Sequence, residues 1–379
     1  MNPGGYRWRV VWLGVALCLA GCGTTSMETK SSTVDCRGFD WRPWGCPKPP
    51  SQTVAQRFWP LPPDPPRIEL VGQLTGSTDV QETPSLIRRL VRLVTGREPP
   101  ITLLRPSAVY SDGRGRVYVT DTGLQVLHIF DEAAHTYRQV FHLIGTARLI
   151  SPVGVAVDEQ ERVYVADSVL NDIFLFNAKG GLIGRIGRPG DYERVAGIAL
   201  GPDGRLYVVD AGAHRLLIYS HAGEKLAVIG RRGSGPGEFN FPSQVSVDHK
   251  GTVYVSDSLN FRVQLFNSDG VFLSMFGQAG AQLGSFSKPK GVGVDMNGDI
   301  FVVDGLYDVV QIFNPQGQLL LHLGGGGTDL GRFWLPTGIS IDRQNRIYVA
   351  DTYNHRVQIF QLLAQEHDNR SLIEPEKPK

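Results

Sequence analysis

The sequence has almost no net charge. Its 38 lysines and arginines meet 37 aspartates and glutamates, formally +1 over 379 residues. Composition therefore shows no strongly basic domain of the kind that binds nucleic acid, and no nucleic-acid partner is expected. Cysteine is scarce, with four in all. The apolar run Val10–Leu19 is too short to cross a bilayer as a helix, which excludes a permanent helical anchor there. There is no Gly-x-Ser-x-Gly elbow and no pair of histidines at zinc spacing, which excludes the commonest local signatures of hydrolases and zinc enzymes. A triad assembled from distant loops leaves no such signature.

What is present begins with an export signal. Arg7 and Arg9 precede the apolar run, and Leu19-Ala20-Gly21-Cys22 closes it. This resembles the lipobox of bacterial lipoproteins, in which small residues admit the peptidase and the cysteine thiol takes the lipid; the alternative is an ordinary signal peptide with a cysteine nearby. Residues 1–21 are read as the signal peptide and Cys22 as the lipidation site. Gly23 stands where an aspartate often marks retention in the inner membrane, so the outer membrane is expected, with the body facing either the periplasm or the exterior. Cys18 leaves with the signal. Cys36 and Cys46 remain, and export to an oxidising space makes them disulfide candidates; free thiols or a metal pair are the alternatives, and no histidine or carboxylate cluster supports a metal. Residues 22–66 read as a Pro/Ser/Thr-rich tether, stiffened by prolines from Pro47 to Pro66, that reaches on the order of 100 Å when extended at 3.1 Å per residue.

From there the chain repeats. Six segments, beginning at Pro106, Pro152, Val195, Pro242, Pro289 and Pro336, align without gaps over 25 residues. Each carries an aspartate 15 residues on (Asp121, Asp167, Asp210, Asp257, Asp304, Asp351) and an aromatic nine further (Phe130, Phe176, Tyr219, Phe266, Phe313, Phe360). Each unit reads as four strands, illustrated by Val153-Gly154-Val155-Ala156-Val157, Val253-Tyr254-Val255, Arg262-Val263-Gln264-Leu265-Phe266 and Leu273-Ser274-Met275-Phe276. Four antiparallel strands at a period of 43–47 residues predict an all-β, six-bladed propeller.

The residues Asn354-His355-Arg356-Val357-Gln358-Ile359-Phe360, with Pro336 to Asp342 and Ile347 to Asp351, resemble the NHL repeat family over roughly residues 105–361. The resemblance implies NHL-type blades and gives His355 a motif role. The sixth unit lacks a fourth strand, and Arg67-Ile68-Glu69-Leu70-Val71-Gly72 resembles one. An N-terminal strand over 67–73 is thus expected to close the last blade, with the propeller spanning 67–364 and a charged, disordered tail over 365–379. A short helix is expected over 83–95: Thr83 caps it, Pro84 opens it and Gly96 ends it. It either packs on the propeller or lies as a basic amphipathic helix on a membrane or partner.

Residues repeated in every blade belong to the blade. The six aspartates are expected to accept turn amides, and Phe239, Phe286 and Phe333 to wedge between blades. Function is sought where the blades differ. Five residues after the aspartate stand Arg215, Arg262 and Arg356, against Val126, Val309 and Asp172 in the other blades. The joining loops supply Arg231, Arg232, Lys288, Arg332 and Trp334 on one side and Asp191, Tyr192 and Glu193 on the other. Arg231, Arg232, Arg262, Lys288, Arg332, Trp334, Tyr353 and Arg356 are therefore the candidate partner-binding residues, being of types enriched at interface hot spots. Some six-bladed relatives are enzymes: the lyase that completes peptide amidation holds zinc through histidines, and lactonases of similar shape hold an axial metal. The first strands here hold no histidine and no carboxylate, so no catalytic residue, metal ligand or cofactor is assigned. The expected function is a lipid-anchored, monomeric scaffold that binds a protein, peptide or glycan in the cell envelope. The alternative is a metal-dependent hydrolase or lyase with ligands on its loops.

Overall fold

In a computed structural model the chain is described over residues 57–80, 100–143 and 147–363. Cys22, Cys36, Cys46, the expected helix over 83–95 and the tail over 365–379 lie outside these residues.

The alternation of apolar and polar residues builds six four-stranded antiparallel blades. Blade 1 comprises Pro106–Ser111, Arg116–Asp121, Val126–Asp131 and Thr136–Val140. Blade 2 comprises Pro152–Val157, Val163–Asp167, Asp172–Phe176 and Leu182–Ile186, and blade 3 Val195–Leu200, Leu206–Asp210, Arg215–Tyr219 and Lys225–Ile229. Blade 4 comprises Pro242–Val247, Val253–Asp257, Arg262–Phe266 and Phe272–Phe276, and blade 5 Pro289–Val294, Ile300–Asp304, Val309–Phe313 and Leu319–Gly324. In blade 6, Ile339–Ile341, Arg346–Asp351 and Arg356–Leu362 are joined by Ile68–Leu74 as the fourth strand. The closing strand pairs Ile68 with Leu362, Leu70 with Phe360 and Leu74 with Val357, as its likeness to the other fourth strands predicts.

Closure goes one step beyond that expectation. Phe58–Trp59, assigned from sequence to the tether, adds a fifth strand outside the closing one, pairing Phe58 with Glu69 and Trp59 with Ile68. Trp59 is buried and meets Phe360 edge to face at 5.6 Å. The prolines around this pair hide its strand character in the sequence.

Apolar cores lie between blades. Phe239 sits among Val209 and Leu216 of blade 3 and Val245 and Val255 of blade 4. Phe286 bridges blades 4 and 5, and Phe333 bridges blades 5 and 6. The same position, three residues before each first strand, holds Leu103, Leu149 and Tyr192 at the other three junctions, all buried. Tyr192, placed by the sequence reading on the acidic side of the loop surface, is therefore a wedge, and its hydroxyl donates to the Ile186 carbonyl at 3.2 Å.

The first strands crowd the axis. A Cβ at Gly154 would stand 2.8 Å from the Ala196 carbonyl oxygen, one at Gly291 2.6 Å from that of Thr337, and one at Gly338 2.5 Å from that of Ser107. Hydroxyls stitch the same seam. Thr337 donates to the Ser107 carbonyl at 2.7 Å and Thr352 to that of Pro106 at 2.8 Å; Ser243 donates to that of Lys290 at 2.9 Å. Gly291→Ala should therefore destabilise the protein by about 1–3 kcal/mol through overpacking. Gly184→Ala, whose Cβ would meet nothing within 4 Å, should move stability by less than about 0.5 kcal/mol. Denaturant melts of the two variants check this, and equal midpoints would contradict the crowding.

Candidate functional site

The loops joining successive blades and the turns between second and third strands share one end of the ring, the upper face. The six repeated aspartates end the second strands there, each wholly buried. Asp121 accepts the backbone N–H groups of Leu104, Arg105, Gly123 and Leu124. Asp167 does the same for Ile150, Ser151, Val169 and Leu170. One carboxylate thus ties the incoming loop to its own blade's turn. Burial opposes ionisation of Asp121, but His128, its Nε2 3.5 Å away, and hydrogen bonds from the amides of Leu104, Leu124 and Arg105 outweigh it and hold its carboxyl below the usual range.

Two of the arginines read as partner contacts serve this same scaffold. Arg262 and Arg356 are each only 7% exposed. Arg262 pairs with Asp257 at 2.9 Å and donates to the carbonyls of Ser234, Gly235 and Glu238. Arg356 pairs with Asp351 at 2.8 Å and donates to those of Asp329 and Arg332. The cause lies in the register: each arginine opens its third strand directly opposite the aspartate, so the guanidinium lies beneath the loop. Gln264 and Gln358, unmarked in the sequence reading, complete the grip from two residues further along.

The other candidates do reach the surface. Arg231 is ion-paired with Glu238 at 2.9 Å, and Arg232 and Arg332 are exposed. Trp334 and Tyr353 are 48% and 39% exposed, with ring centroids 5.7 Å apart. Arg105 lies 5.6 Å over the Tyr353 ring. These three residues, from the start of blade 1 and from blade 6, form a continuous aromatic and cationic platform.

Inside this rim a cavity of about 400 Å³ opens at the axis, lined by the starts of the first strands. Arg194, Lys288 and Lys290 line it, and among the described residues its wall contains no carboxylate and no histidine. Of the three, sequence reasoning picked out only Lys288. Burial, and then the neighbouring charges of Lys288 and Arg194, push the Lys290 ammonium below the ordinary lysine range. The histidines lie elsewhere. His128 is buried with its Nδ1 2.7 Å from the Tyr137 hydroxyl, and His214 Nδ1 accepts the Phe241 N–H at 3.0 Å. His355 contacts the Leu104 carbonyl. Among the described residues no three His, Cys, Asp or Glu side chains gather as a metal set.

Comparison with known proteins agrees with this architecture. A family described as NHL repeat matches residues 333–360, and one described as 6-bladed beta-propeller matches residues 195–278. The chain is a six-bladed β-propeller with an NHL repeat over residues 333–360. No curated protein sequence matches it. Among solved structures it resembles a protein of unknown function from Bacteroides thetaiotaomicron (17% identity, TM-score 0.56, covering 78% of this chain and 75% of the other). It also resembles an auxiliary nutrient binding protein from the same organism (13%, 0.55, 68% and 69%). A third likeness is to virginiamycin B lyase from Staphylococcus aureus (13%, 0.53, 78% and 100%). At these identities the likenesses establish the fold.

Removing a buried arginine leaves its aspartate unpaired and its loop carbonyls without donors. Arg262→Ala should cost about 3–5 kcal/mol, whereas Arg232→Ala, on the exposed part of the same loop, should stay within about 0.5 kcal/mol. Calorimetric unfolding of the two variants tests this; a small loss for Arg262→Ala would return that residue to the surface candidates.

Proposed function

We propose that the protein is an envelope binding protein, held at the outer membrane through lipid on Cys22, that presents the upper face of its propeller to a protein or peptide partner. The observation that carries this reading is the platform of Trp334, Tyr353 and Arg105. Two large aromatics half out of water on one rim cost solvation unless something covers them, and these residue types dominate interface hot spots. The exposed Arg231, Arg232 and Arg332 would steer an acidic partner more than tighten it. Lys288 belongs with the axial cavity, and Arg262 and Arg356 support the loops from beneath. The nutrient-binding protein among the structural likenesses offers precedent for a binding role on this fold.

A second reading, a metal-dependent hydrolase or lyase, draws support from the lyase among those likenesses. Its ligands would have to come from outside the axial wall, where hydroxyls, an amide and cations stand instead.

The test is cross-linking of the full-length protein in membranes, affinity capture and mass spectrometry, with Cys22→Ala and a Trp334→Ala, Tyr353→Ala double variant alongside. The expected result is a reproducible partner whose yield falls when the anchor is lost and drops about tenfold or more in the rim variant. An anchor-dependent partner captured equally by the rim variant would overturn the site. No partner in any sample, together with stoichiometric metal in the purified protein, would favour the enzyme.

A further inference from the structure

The axial cavity carries an inference that rests on the upper face being a binding surface and reaches beyond it. Arg194 precedes the first strand of blade 3, Lys288 precedes that of blade 5, and Lys290 lies within it. The ring brings these three cations from separate segments to one wall. None of them has a hydrogen-bond or ion-pair partner for its side chain among the described residues. The same chain pairs its cations freely elsewhere: Arg116 with Asp131, Arg162 with Asp158, Arg185 with Asp172 and Lys225 with Asp191. Like charges gathered around a partly buried space repel one another, and folding bears that cost unless a counter-charge arrives. Burial first, and then the charges of Lys288 and Arg194, depress the Lys290 ammonium.

The cavity wall also holds the side chain of Gln244. At its place in the first strands the other blades carry Ala108, Gly154, Gly197, Gly291 and Gly338. Blade 4 alone sets a long polar side chain there. Gly197 makes the space, since a Cβ on it would come within 1.5 Å of Gln244 Oε1. Gln244 lines the cavity, but that oxygen is closed off from it and has no hydrogen-bond donor.

We propose that the axial cavity is a binding site for a small organic anion, a carboxylate or phosphate, met by Arg194, Lys288 and Lys290. The volume of about 400 Å³ falls in the range of metabolite sites.

Titration calorimetry of the purified protein with citrate and with glucose 6-phosphate tests this, and the two probes separate a carboxylate from a phosphate ligand. Saturable binding of at least one is expected. It should weaken about tenfold or more in Lys290→Gln and in Arg194→Gln, and survive in Lys290→Arg. Lys179→Gln, in a turn at the opposite end of the ring, is the folded control and should bind as wild type. No saturable heat from either probe, or equal binding by Lys290→Gln, overturns the proposal. Because calorimetry involves no envelope partner, failure here with successful capture leaves the rim standing, and the reverse pattern leaves the cavity standing.

Discussion

Everything in this molecule depends on how closely six first strands approach one axis. A strand of ordinary residues needs room on both faces, and here one face meets the backbone of the next blade. Small residues at Ala108, Gly154, Gly197, Gly291 and Gly338 admit that approach. The wedge residues then fill the diverging space further out, where buried apolar area supplies most of the driving force. The two demands are complementary: no bulk near the centre, and a large side chain at each junction toward the periphery. The repeated aspartates and the inward arginines fix the loops above this frame, so the upper face is a set of short, internally bonded turns.

That rigidity is what gives the surface residues meaning. Trp334 and Tyr353 are held in contact by turns that cannot relax to hide them. Lys288 and Lys290 cannot separate, because their backbone is fixed by Asp304 and by the hydroxyl of Ser243. A flexible loop would relieve the repulsion by swinging its lysine into solvent. A preorganised site keeps the repulsion in the free protein and releases it on binding.

Much of the fold was legible because a propeller repeats itself. Six aspartates in one register define the blade, and the orphaned sixth unit points to its missing strand. What was not legible depended on identity changing while position stayed constant. Leu103, Leu149 and Tyr192 occupy the same wedge as Phe239, yet nothing in a leucine or a tyrosine announces it. Arg262 and Arg356 look like surface charges until register sets each opposite an aspartate. The cationic cavity was the hardest to see. Arg194 and Lys290 are far apart in sequence, and each alone resembles an ordinary charge beside a strand; only ring closure makes them neighbours. Lys290 stood within a first strand searched for metal ligands, and a cation does not answer that search.

Closure of the ring by the chain's own beginning also dictates the order of events as the protein is made. Ile68 and Leu362, which pair in the finished blade, lie near opposite ends of the described chain. The closing strand therefore has only the two-residue strand Phe58–Trp59 beside it until the last strand exists. For that interval an apolar segment, with Ile68, Leu70 and Leu74 alternating along it, presents an open edge. Contacts of such long range form late and slowly. A nascent chain of this design needs its closing strand shielded throughout its synthesis, and a chain cut short before Arg356 keeps that edge open permanently.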